Sequence, residues 1–104
     1  MLAEAGREAS AWFAHRGRPL ESQFDNIAHH RSPGGLALLD DGLAWLECTT
    51  EVAHDSGDHV IIVGRVKWAD FREADDDPLL YYRSHYGTII RQDESEKTVY
   101  RGEA

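Results

Sequence analysis

Two long runs of strand-forming residues, 43–54 and 59–71, are separated only by a short polar turn through Gly57 and Asp58. A connection this short leaves one geometry open to them. Parallel neighbours need a crossover of about a dozen residues, so the two runs must fold back as an antiparallel hairpin. Period-two reading places Ala44, Leu46, Cys48, Thr50 and Val52 on one face of the first run. Leu43, Trp45, Glu47, Thr49 and Glu51 fall on the other. Gly64, in the middle of the second run, marks a bulge or a close approach of backbone.

The other segments are arranged around this hairpin. Leu2, Ala5, Ala9, Trp12 and Phe13 recur at helical spacing, so residues 2–15 read as a helix, closed by Gly17 and Pro19. Residues 18–35 read as a loop with Leu20, Phe24 and Ile27 as apolar anchors, ending in the turn Ser32-Pro33-Gly34-Gly35. Residues 36–39 form a short strand before the turn Asp40-Asp41-Gly42. Residues 73–78 read as a solvated acidic turn whose adjacent carboxylates repel, 79–82 as a fourth strand and 87–91 as a fifth. The expected domain covers residues 1–91, and 92–104 reads as a flexible polar tail. The fold class is mainly β: an antiparallel, partial split β-barrel with one packed N-terminal helix. Four or five strands are few for closure, so further strands must come from a partner chain or from sequence outside this one.

Composition narrows the function. Eleven basic against nineteen acidic residues leave a net charge of -8, which disfavours nucleic acid and anionic membrane surfaces. No apolar run approaches the length of about 20 residues that spans a bilayer. Cys48 is the single cysteine, so no internal disulfide forms; in its apolar run it reads as a small buried hydrophobe in a reduced, cytoplasmic compartment. His29 and His30 are adjacent and point apart, and no paired Cys or His spacing suggests a metal, so none is expected. Neither a nucleophile elbow nor a glycine-rich dinucleotide fingerprint is present. Trp45 and Trp68 read as cross-strand packing on the two long strands.

The turn itself carries the chemistry. Gly57 permits a tight backbone and a close ligand, and Asp58 beside His59 can orient an imidazole. Alone, such a tripeptide reads as an exposed turn. It stands, however, in an ordered series: Leu46-Glu47-Cys48, then Asp58-His59-Val60-Ile61-Ile62-Val63-Gly64-Arg65-Val66, then Pro78-Leu79-Leu80-Tyr81-Tyr82-Arg83-Ser84-His85-Tyr86. That series resembles the flavin reductase-like family of small NAD(P)H:flavin oxidoreductases that feed two-component monooxygenases. Leu39-Asp40-Asp41-Gly42-Leu43-Ala44 fits the turn before its Glu-Cys strand, and Trp12-Phe13-Ala14 with Phe24 fits its helix and following loop. The resemblance covers most of residues 2–90.

The resemblance implies a cytoplasmic flavoprotein that binds FMN (or FAD) and accepts hydride from NAD(P)H. Gly57, Asp58 and His59 would line the nicotinamide site, with His59 nearest the flavin as the catalytic candidate. Arg83 and Tyr86 are the further cofactor-binding candidates. A homodimer and a partner monooxygenase are implied as well. Arg65 departs from an acidic residue of the family pattern, and Ser84-His85 from a Gly-Arg pair. The family's upstream strands and the Thr/Ser-rich segment that cradles the flavin phosphate have no match here, so the chain reads as truncated. The alternative is a non-catalytic split-barrel remnant that serves as a dimerisation or partner-binding module.

Overall fold

The computed structural model describes residues 1–92. The expected tail lies, from residue 93 onward, outside the described residues. A 3-10 turn (Glu4–Gly6) leads into helix α1 (Arg7–Ala14). Six strands follow: β1 (His29–Arg31), β2 (Ala37–Leu39), β3 (Ala44–Ser56), β4 (His59–Phe71), β5 (Leu80–Tyr82) and β6 (His85–Gly87). They pair as three two-stranded antiparallel sheets, β1-β2, β3-β4 and β5-β6. The mainly β architecture with one N-terminal helix is as expected, and the described strands do not close a barrel.

The long hairpin pairs from Ala44↔Phe71 at its base to Ser56↔His59 at its tip, leaving only Gly57 and Asp58 in the turn. Two register shifts interrupt it. Lys67 is passed over between Glu47↔Trp68 and Cys48↔Val66, and Glu51 between Thr50↔Gly64 and Val52↔Val63. Each extra residue flips the alternation beyond it, so the strict two-face reading of this strand holds only over short stretches. Gly64 lies at the second shift, and a Cβ there would meet the Cys48 Cβ at 3.0 Å, so both readings of this glycine apply. Cys48 itself is exposed, contrary to the buried expectation, because nothing within the described chain covers its neighbours Leu46 and Val66.

The helix begins later than its apolar spacing suggests. Met1 to Ala3 is extended and bonded on both sides, which outweighs local helical preference. The Leu43 amide donates to the Met1 carbonyl at 2.8 Å and the Ala3 amide to Asp41 at 2.8 Å. On the other flank the Leu79 amide donates to Leu2 at 2.9 Å and the Glu4 amide to Asp77 at 2.9 Å. The buried residues gather around this crossing: Ala3, Gly6, Ala9, Leu38 and Gly42, with Ser32. Helix α1 is then tied to the following loop. Trp12 donates its indole N–H to the Gln23 carbonyl at 2.7 Å, and the Phe13 and Phe24 rings sit 5.3 Å apart. Of the expected anchors, Phe24 serves and Leu20 is exposed.

Two further expectations change, and a third is extended. β1 lies inside the segment read as loop, since His29–Arg31 pairs through its backbone with β2 across the 32–35 turn and needs no apolar side chains to do so. The strand expected at 87–91 lies instead at His85–Gly87. The acidic turn is solvated as expected and ion-paired as well: Arg91 pairs with Asp75 and Asp77, and Arg72 with Asp76 at 3.0 Å. Asp75 and then Asp77 hold the Arg91 guanidinium above its ordinary value by hydrogen bonding and charge. No helix among the described residues is long and apolar enough to cross a membrane.

Candidate functional site

The hairpin tip is built by its turn. Gly57 adopts φ +62°, which a two-residue connection with glycine at its first central position requires. Nothing lies within 4 Å of a Cβ placed there, so the backbone angle, not crowding, calls for glycine. Asp58 follows, and its carboxylate accepts from His59 Nδ1 at 2.5 Å. Because a carboxylate only accepts, this contact puts the ring hydrogen on Nδ1 and directs Nε2 away from the turn. The His59 and Asp58 side chains are 80% and 92% exposed, so the pair is oriented but open to solvent.

Arg83 and Tyr86 lie on the separate β5-β6 hairpin, and they serve it in different ways. Arg83 and Ser84 form its two-residue turn, both in the left-handed region, with φ 51° and 65°. The Arg83 guanidinium lies 5.8 Å from the Tyr82 ring centre, and His85 donates its Nδ1 hydrogen to the Arg83 carbonyl at 2.8 Å. Tyr86 turns toward α1. Its hydroxyl donates to Ser10 Oγ at 3.0 Å, Arg7 lies 5.3 Å over its ring, and Tyr81 meets it edge-on at 5.1 Å. Thus Gly57, Asp58 and His59 come together at one tip, Arg83 stands at another, and Tyr86 is a docking residue for the helix.

Sequence reasoning missed Glu47. Its carboxylate accepts from the buried Ser32 hydroxyl and from the Gly34 amide at 3.1 Å, pinning the 32–35 turn to β3. A Cβ at Gly34 would lie 2.6 Å from that carboxylate. The available signal was an acidic side chain in an otherwise apolar and Thr-rich run, placed where only a hydrogen-bonded carboxylate is tolerated. Trp45 was also misread: it donates its indole N–H to the Leu39 carbonyl at 2.8 Å and packs edge-on against His30, facing β1-β2 rather than its cross-strand neighbour. His29 turns instead to Phe24, so the two histidines diverge as expected.

The chain is similar to known proteins in sequence and fold. The family model described as "Flavin reductase like domain" matches residues 1–89. The reductase subunit HsaB of a flavin-dependent monooxygenase from Rhodococcus jostii (strain RHA1) is 37% identical over 100 residues, covering 95% of this chain and 47% of that protein. The FMN reductase (NADH) SmoA from Agrobacterium fabrum is 39% identical over 83 residues, covering 80% and 44%. The crystal structure of BorF, the flavin reductase component of a bacterial two-component tryptophan halogenase, superposes with TM-score 0.76 at 32% identity, covering 88% of this chain and 58% of that one. The chain spans less than half the length of the two curated relatives.

Proposed function

Because the chain belongs to the flavin reductase-like family, we propose that it works in NAD(P)H-dependent reduction of FMN (or FAD), in a homodimer that serves a partner monooxygenase. The observation that carries this reading is the family match over residues 1–89, which takes in both hairpins and the oriented Asp58-His59 pair. The partner is supported by the relatives named as monooxygenase or halogenase reductase components. When bound, the flavin supplies the chemistry, taking a hydride from the nicotinamide ring.

The tip residues fit the nicotinamide nucleotide. Gly57 leaves open space for a ligand to reach the backbone, and Asp58 fixes the His59 ring through Nδ1. His59 Nε2, aimed outward, accepts from a carboxamide N–H when the imidazole is neutral and donates to a carbonyl or anionic oxygen when it is protonated. Its task is placement: a nicotinamide held against the flavin gains rate from proximity, with no proton transfer by the protein required. Asp58 acts through His59 as a positioning residue. Arg83 offers a guanidinium suited to a phosphate, while Tyr86 keeps β6 seated on α1.

A second reading draws on surface that the homodimer of the first would also use. Leu46, Ile61, Ile62 and Phe71 are each more than half exposed on the long hairpin, as a dimerisation or partner-binding module without catalysis would require. Purified protein that keeps a flavin visible spectrum through gel filtration and oxidises NADH or NADPH when FMN is added supports the reductase. Colourless protein that takes up no added FMN would leave the binding module.

A further inference from the structure

The two register shifts of the long hairpin act jointly on its faces. Strict alternation would set Val60, Ile62 and Val66 on the same side of β4 as Trp68 and Asp70. The shift at Lys67 moves them to the side of Phe71, because Cys48↔Val66 follows Glu47↔Trp68 directly. On β3 the shift at Glu51 likewise brings Ala53 and Asp55 to the side of Leu46 and Cys48, and sends Val52 and His54 to the other. One face therefore runs the whole ladder with Asp55 as its single charged paired residue. Glu47, Arg65 and Asp70 all stand on the opposite face.

That opposite face is already in use at its base, where Trp45 bonds to Leu39 and Glu47 to Ser32 and Gly34. The nearly uncharged face has no such cover among the described residues. Leu46, Val60, Ile62, Val66 and Phe71 on it are each more than half exposed, and Cys48 is exposed between them. A face without charge offers nothing to a basic or an acidic partner. It is complementary to itself, as a two-fold contact between identical chains requires. In a chain of net charge -8 it is also where two copies can meet without opposing carboxylates. Asp55 decides the direction of that contact. An axis along the strands would bring the two Asp55 carboxylates together tip to tip, whereas an axis across the strands keeps them apart by most of the ladder.

We propose that a second copy of this chain packs face to face on this surface, about a two-fold axis across the strands at mid-ladder, each tip over the base of the other. The proposal rests on the homodimer of the reductase reading and gives it a surface. Cys48, near mid-ladder, then lies across the contact from the partner's Cys48. As the single cysteine of the chain it is a selective probe. Wild-type protein is treated with a short bis-maleimide, and Leu46→Lys and Val63→Lys are compared with it by analytical ultracentrifugation, circular dichroism checking that each is folded. The wild type should give a covalent dimer. Leu46→Lys, which sets a cation on the uncharged face, should weaken dimerisation by about tenfold or more, and Val63→Lys, on the opposite face, should leave it unchanged. A monomeric wild type, a dimer that the reagent does not join, or dissociation by Val63→Lys in place of Leu46→Lys overturns the proposal. If Leu46→Lys does not fold, the cross-link on the wild type decides. FMN-dependent NADH oxidation by the same wild-type sample separates the two readings. Turnover by a dimer that does not cross-link removes only this surface, and a cross-linked dimer without turnover removes only the reductase.

Discussion

At the tip of the long hairpin a single carboxylate decides what the imidazole can do. With Asp58 on Nδ1, His59 has one nitrogen left to work with, and the ring is held by a neighbour in sequence and not by a buried wall. His59→Ala is therefore expected to raise KM for NAD(P)H severalfold while flavin affinity changes little, measured by steady-state kinetics and flavin titration. Equal kinetics for the two proteins would remove His59 from the site. The other hairpin invites the opposite experiment. Ser84 sits at φ 65° where glycine is at ease, so Ser84→Gly should raise stability by up to about 1 kcal/mol in urea unfolding. The departure from the family's Gly-Arg pair at 84–85 was visible in the sequence. Its backbone cost was not, because φ is set by the two-residue turn that the ladder Tyr82↔His85 imposes.

Among the elements, the loop-bearing ones depend most on side-chain tethers. Glu47→Ala should cost about 1–3 kcal/mol, since it strands the Ser32 hydroxyl and the Gly34 amide that its carboxylate satisfies. Thermal unfolding measures that loss, and Glu47→Gln, which can still accept, should recover part of it. Tyr86→Phe removes only the bond to Ser10 and should cost about 1 kcal/mol while freeing α1, read as faster amide exchange in Arg7–Ala14. The two long strands and their turn were legible because Val and Ile runs around Gly57-Asp58 permit little else, and β4 has the expected ends. Less legible was anything fixed by a distant partner. The N-terminal segment resembles helix by spacing, but Leu43 and Leu79 claim its backbone. His29–Arg31 resembles loop by polarity, but Ala37–Leu39 pairs with it. The bulges at Lys67 and Glu51 have no composition signal, and they are what breaks the two-face reading of β3.

For the whole molecule the governing fact is where apolar surface lies. Among the described residues only Ala3, Ala9 and Leu38 form a buried hydrophobic core, while Val60, Ile61, Ile62 and Val63 stand exposed along β4. Such a surface is seldom left in water. The chain is expected to self-associate in solution, and Ile62→Lys, on the exposed strand and remote from the turn at 83–84, should shift it toward monomer in analytical ultracentrifugation without loss of β signal. An unchanged sedimentation profile would place the contact elsewhere. The candidate site follows the same division: its residues were legible as motifs, but their distribution over two separate hairpins emerges only from strand pairing.

The three residues Met1 to Ala3 are bonded to the Asp41-Leu43 stretch on one flank and to Leu79 on the other. They act as a common seam between the two hairpins. The Leu43 amide at the base of the long hairpin bonds to Met1, and the Leu79 amide, one residue before β5 begins, bonds to Leu2. The hairpins that carry His59 and Arg83 are thus rooted on the same three-residue segment.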